Sequence, residues 1–181
     1  MADEYVLRLI LGDQLNPLHS WFRTPRRHVV YTLMEVRPET DYVTHHVQKV
    51  AGFFAAMRRF GETLARQGHR VVYFRLDDPA NEQDLEANLR NVIRNEEITR
   101  FEYLLPDEYR LDVQLKDTAS RLPVPSAVQD TEHFLTTRDE VQTLFTGKKQ
   151  YLMENFYRTM RRKHGILMAD ARPQGGKWNF D

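Results

Sequence analysis

Three short polar clusters hold most of the chemistry-bearing residues of this sequence, and each follows an apolar run. Gly12-Asp13-Gln14 follows Val6–Leu11, Glu35 to Glu39 follows His28–Met34, and Asp107-Glu108-Tyr109-Arg110 follows Phe101–Leu105. Carboxylates and amide oxygens accept hydrogen bonds from N–H and O–H groups, while lysine and arginine serve carbonyls. Downstream of the second cluster, Tyr42, His45 or His46, Lys49 and Phe53 fall on one flank of a helical pattern. An aromatic wall set among a few donors and acceptors suits a flat heteroaromatic guest.

The same residues argue against other chemistries. Gly12-Asp13-Gln14-Leu15 is neither the G-x-G-x-x-G fingerprint nor a P-loop. Asp13 would also repel a phosphate, so a neutral ligand that offers donors fits this loop better. His45 and His46 are adjacent, and adjacent helical residues point about 100° apart, so they cannot chelate one ion as an i, i+4 pair does. No Ser-His-Asp set and no H-E-x-x-H motif occurs, and nothing pairs two carboxylates for acid–base work. Cysteine is absent, which removes disulfides, thiolate-bound zinc, iron–sulfur ligation and a cysteine nucleophile from these residues. Arg158, Arg161, Arg162, Lys163 and His164 form a basic cluster. It has two readings: a surface for phosphates of DNA or a dinucleotide, or a solvated helix end whose cations suit the helix dipole.

Elements that could position these clusters are visible in the hydrophobic pattern. Val6–Leu11, His28–Met34, Arg70–Leu76 and Phe101–Leu105 read as strands, with a weaker fifth at Ser126–Thr131. Helical spacing runs from Asp41 to Gln67, where Gly68 offers a C-cap, and again over Glu82–Asn95 and Glu108–Arg121. Thr137-Arg-Asp-Glu140 is a capping box that opens a helix through Phe145, and Met153–Lys163 is a last, basic helix ended by Gly165. Strands alternating with helices imply crossover connections and a parallel sheet. In such sheets ligands sit beyond the carboxyl ends of the strands, where the three polar clusters fall. The segment from 147 onward leaves the alternation and reads as an arm.

With 181 residues the chain is long enough for one domain with a sizeable core. Its 26 basic and 26 acidic residues cancel, whereas a dedicated nucleic-acid binder carries a basic excess, so any DNA contact is local or lies elsewhere. The start of the chain lacks a signal-peptide pattern, and no apolar run is long enough for a membrane span. A cytoplasmic setting without a membrane partner is the expectation.

Four stretches together carry a resemblance: "LILGDQLNP", "MEVRPETDYVTHHVQKVAGFFAAMRRF", "ENFYRTMRRKHGILM" and "PQGGKWNFD". In this order and spacing the chain resembles the N-terminal part of the deoxyribodipyrimidine photolyase-related proteins, the bacterial iron–sulfur cryptochromes and (6-4) photolyases. The resemblance covers essentially the whole chain. It implies a Rossmann-like, doubly wound α/β fold with a five-stranded parallel sheet in the order 3-2-1-4-5 and a C-terminal helical linker arm. By this reading residues 1–146 form an antenna-chromophore-binding domain. Residues 147–181 lead toward a helical domain, absent here, that binds FAD and an iron–sulfur cluster.

The resemblance further implies 6,7-dimethyl-8-ribityllumazine as antenna pigment, passing excitation to FAD for DNA lesion repair or blue-light signalling. The implied pigment site is Gly12, Asp13, Gln14, Glu39, Tyr42, His45, Lys49 and Phe53, with Glu108, Tyr109 and Arg110 as weaker candidates. The helix at 153–164, Trp178 and Phe180 are expected to meet the missing domain, and damaged DNA is a partner only through the full-length protein. By itself the chain is expected to hold pigment and not to catalyse repair. Two rivals are a stand-alone nucleotide-binding module of universal-stress type, which a glycine-rich phosphate loop would favour, and an interaction module that lends its tail to another polypeptide.

Overall fold

Runs rich in β-branched and aromatic residues pair into one parallel sheet whose inner strands are largely buried, as strands covered by helices on both sides must be, while the edge strands are more exposed. The structure, a computed structural model, describes residues 4–179. Its strands are β1 (Val6–Leu9), β2 (Val29–Met34), β3 (Arg70–Phe74), β4 (Arg100–Leu104) and β5 (Ser126–Gln129). They lie side by side in the order β3-β2-β1-β4-β5, all parallel, as the sequence predicts. The register sets Leu9 level with Thr32 of β2 and Tyr103 of β4, so the ends of the central strands open at one edge.

Helix α1 (Pro38–Asp41) and helix α2 (Val47–Arg66) link β2 to β3, α3 (Leu85–Asn95) links β3 to β4, and α4 (Tyr109–Arg121) links β4 to β5. Alternation within the strands divides the core in two. Leu7, Leu9, Val30 and Phe101 cluster with Leu89, Val92 and Ile93 of α3 and Leu115 of α4. Val6, Ile10, Tyr31 and Leu33 cluster with Phe54, Met57, Phe60 and Leu64 of α2. A short 3-10 turn at Ser20–Phe22 adds Trp21 and Phe22 to this second cluster, a contribution the sequence pattern does not announce.

Sequence and structure differ on the long helix. The apolar spacing predicts one helix from Asp41 to Gln67, but the chain leaves α1 after Asp41 and enters α2 only at Val47. His46 is extended there and caps α2, its Nδ1 accepting from the Gln48 N–H at 3.2 Å. Histidine is not among the usual N-cap residues, so no composition signal marks that start.

The chain divides into two compact units, the first ending at Thr131 and the second beginning at Glu132. The expected boundary at 146/147 is later, and the helix α5 (Arg138–Phe145) belongs to the second unit. That unit also holds α6 (Met153–His164) and a two-residue-per-strand hairpin, β6 (Met168–Ala169) with β7 (Arg172–Pro173). Thr137 caps α5 by accepting from the Glu140 N–H, as the capping box predicts. Gly165 ends α6 at φ 65°, a left-handed turn that costs glycine little. Among the described residues no helix is long and apolar enough to cross a membrane.

Candidate functional site

At the carboxyl end of the first unit's sheet, seven segments line a cleft of about 220 Å³. The end of β1 supplies Leu11, Gly12 and Asp13, and the end of β2 supplies Met34 and Val36. Glu39 and Thr40 come from α1, Tyr42 and His45 from the connection to α2, and Lys49, Phe53 and Met57 from α2. Leu85 and Leu111 close the floor, and Glu108 stands at the start of α4. This volume is below the ~300–1,000 Å³ of pockets that bury a whole drug-sized ligand. It suits a flat ring system with any polar tail running out toward solvent.

Of the sequence-predicted site residues, Gly12, Asp13, Glu39, Tyr42, His45, Lys49, Phe53 and Glu108 line this cleft, and Gln14, Tyr109 and Arg110 do not. The Gln14 side chain is wholly buried; its Oε1 accepts from the Leu11 N–H at 3.0 Å and its Nε2 donates to the Leu104 carbonyl at 3.3 Å. Gln14 thus ties the loop after β1 to the end of β4 and shapes the cleft from behind. Tyr109, a weaker candidate from the same cluster as Glu108, is 82% exposed and is not among the lining residues.

The cleft has an apolar body and a polar rim. Phe53 stands beside Gly12, where a Cβ would lie 2.3 Å from Phe53 Cζ and 2.8 Å from Met57 Sδ. Glycine at position 12 is therefore a requirement of close approach. At the rim, Tyr42 and His45 meet edge to face at 5.2 Å, and the Lys49 ammonium donates to His45 Nδ1 at 3.1 Å.

Arg110 organises the opposite rim. Its guanidinium donates to Glu39 (Nη2 to Oε2, 3.0 Å; Nη1 to Oε1, 3.3 Å) and to Glu108 (Nε to Oε1, 2.9 Å; Nη2 to Oε2, 3.3 Å). It also lies over the Tyr42 ring, 4.6 Å from the centroid. Hydrogen bonding to Glu39 raises the Arg110 pKa above the ordinary arginine value; burial opposes this and Glu108 adds to it.

Behind this rim, the carboxylate of Glu35 is fully buried at the end of β2. It accepts from Arg58 Nε at 2.6 Å and Nη2 at 2.7 Å, from the Tyr73 hydroxyl at 2.7 Å, and from the Leu76 N–H at 2.9 Å. Burial pushes this carboxyl up, but the hydrogen bonds from Arg58, Tyr73 and Leu76 outweigh it and hold it below the usual carboxylate value. The ion pair anchors α2, and so fixes where Phe53 and Met57 stand. Sequence reading groups Glu35 with Glu39, and the structure separates them: one is a buried strut, the other faces the cleft.

In the second unit, the basic cluster gathers around Trp178. The guanidinium carbons of Arg162, Arg161 and Arg158 lie 4.6, 5.3 and 5.6 Å from its ring centroid. Arg161 is buried and donates to the carbonyls of Ile166, Leu167 and Trp178. Trp178 thus has partners within this unit, on α6. Phe180 lies outside the described residues. No group of three or more acidic, histidine or cysteine side chains placed to hold a metal occurs among the described residues.

Against known proteins, residues 8–181 match the family model described as deoxyribodipyrimidine photo-lyase-related protein. A (6-4) photolyase of Agrobacterium fabrum is 36% identical over 97% of this chain. An uncharacterized protein of Acanthamoeba polyphaga mimivirus is 23% identical over 77% of it. The chain spans 35% of the length of the Agrobacterium protein and 71% of that of the viral one.

Proposed function

This chain belongs to the deoxyribodipyrimidine photolyase-related family, and we propose that it is the pigment-binding part of a photolyase- or cryptochrome-like flavoprotein. The pigment is a lumazine, 6,7-dimethyl-8-ribityllumazine, held in the cleft at the carboxyl edge of the sheet. Excitation of the pigment passes to an FAD bound in a separate helical domain that also holds an iron–sulfur cluster. That domain carries out DNA lesion repair or blue-light signalling, and the present residues harvest light only.

The observation that carries this reading is the convergence of Gly12, Glu39, Tyr42, Lys49 and Phe53, from separate segments, on one apolar cleft with a polar rim. Phe53 offers a face for stacking the fused rings. Glu39 offers an acceptor for the ring N–H of the pyrimidinedione edge, and Lys49 a donor for its carbonyls. Leaving either polar edge unmatched would cost about 1–3 kcal/mol. The loop after β1 lacks the glycine spacing that cradles phosphates, which favours a ribityl chain over a nucleotide.

The test is reconstitution of the purified chain with the lumazine. A saturable, red-shifted absorption band is expected, and Glu39→Ala should weaken binding about tenfold while the circular dichroism spectrum is retained. No band at saturating pigment would exclude the reading.

A further inference from the structure

Arg110 reaches Glu39, Glu108 and Tyr42 together, and it does so with its whole fork. Two nitrogens face Glu39, two face Glu108, and the planar face lies over the Tyr42 ring at 4.6 Å. A guanidinium is the group that does this, because its planar, fixed donors match carboxylates in pairs while its face stacks on an aromatic ring. The result is that α1, the connection after it and the start of α4 are held in one arrangement at the cleft rim.

We propose that Arg110 is a positioning residue that makes Glu39 an acceptor-only wall, so that the cleft selects a ring bearing an N–H at that edge over the same ring N-alkylated there. This rests on the pigment reading above. The argument is one of hydrogen-bond capacity. Each carboxylate oxygen has two acceptor sites. Arg110 donates to both oxygens of Glu39 and fixes its plane, which leaves one further acceptor site on each oxygen of a carboxylate that lines the cleft. A ring N–H meets that capacity with a charge-assisted hydrogen bond, and a methyl group in its place forfeits that bond and crowds the carboxylate that Arg110 holds fixed. Without Arg110 the Glu39 side chain is free to swing away from either ligand, and the preference disappears.

The experiment measures affinities of the wild-type chain, Arg110→Ala and Arg110→Lys for 6,7-dimethyl-8-ribityllumazine and for its N3-methyl derivative. Wild type should prefer the N–H form at least about tenfold. Arg110→Ala should lose the preference, chiefly by weakening the N–H form. Arg110→Lys should restore little of it, because an ammonium supplies charge without the fork. A preference unchanged in Arg110→Ala, an equal loss for both ligands, or full rescue by lysine would each overturn the proposal.

If wild type binds neither ligand, the pigment reading fails, and the clamp is read on the ligand-free chain. The Arg110 Nε–H proton should be shifted upfield by the Tyr42 ring and move downfield in Tyr42→Leu. An unmoved resonance would refute the clamp.

Discussion

Gly12 lies directly against the ring of Phe53, leaving no space for a side chain: a Cβ at position 12 would stand 2.3 Å from Phe53 Cζ and 2.5 Å from Cε1. The glycine at the end of β1 and the aromatic on α2 therefore define one wall of the cleft between them. Phe53 is 38% exposed, so its ring has room to turn if pushed. Because a Cβ would also stand 2.8 Å from Sδ of buried Met57, Gly12→Ala should cost about 1–3 kcal/mol of stability and displace the ring into the space a ligand needs. Pigment affinity should fall at least about tenfold, and Phe53→Leu in the same background should recover part of it. Titration of the three proteins, with melting curves alongside, checks this.

Gln14 gives a contrasting pattern. Its amide is buried and spent on Leu11 and Leu104. Gln14→Leu strands a buried N–H and a carbonyl, so unfolding free energy should drop by about 1–3 kcal/mol. Affinity of the folded chain should fall less than in Gly12→Ala, because Gln14 holds the lining loop from behind and is not itself a lining residue. Urea denaturation and pigment titration together separate the two effects.

The pair of half-exposed Arg58 with fully buried Glu35 should contribute measurably to stability, because the carboxylate depends on it. Removing Arg58 leaves a fully buried carboxylate with only Tyr73 and the Leu76 N–H. Arg58→Met is expected to cost about 3 kcal/mol, whereas Glu35→Gln with Arg58→Met should cost less than the sum of the single changes. A double-mutant cycle by chemical denaturation measures this.

Acid should destabilise the first unit in two steps. Burial lowers the pKa of His69 below its ordinary 6.5, and the hydrogen bonds from Arg58, Tyr73 and Leu76 hold Glu35 below 4.5 against the upward pull of burial. For both groups the unfolded chain takes up the proton first, so stability falls as pH falls. The His69 contribution is intact above pH 6.5 and is lost as pH drops through its lower folded value. The Glu35 contribution is intact above pH 4.5 and is lost below it. Denaturation midpoints in His69→Phe should be flatter than wild type between about pH 7 and pH 5, and those in Glu35→Gln flatter in the more acidic range.

The strands were legible because the inner ones, Val29–Met34 above all, are largely buried, and burial on both faces leaves an apolar signature in composition. Most of the site was legible for a related reason: polar residues just past the strand ends have few places to go except the cleft. What was not legible depended on where a side chain points. Gln14 reads the same in sequence whether its amide meets a ligand or the backbone, and only the fold decides. The break at His46 was hidden because Val43, Val47 and Val50 keep helical spacing across it. Arg110 was visible as one residue of a polar cluster, but its hold on Glu39 spans 71 positions of chain, a pairing that only the sheet topology creates. Trp178 reads as an aromatic in search of a partner, and within its own unit it meets the arginine face of α6, sixteen to twenty residues before it.

The location of the pigment decides the rest. In an amide NMR titration of the isotopically labelled chain with 6,7-dimethyl-8-ribityllumazine, the largest saturable shifts should fall on Leu11–Asp13, Glu39–Tyr42 and Lys49–Phe53. Saturation without movement of those amides, or shifts confined to the unit beginning at Glu132, would contradict a light-harvesting ligand at the sheet's carboxyl edge.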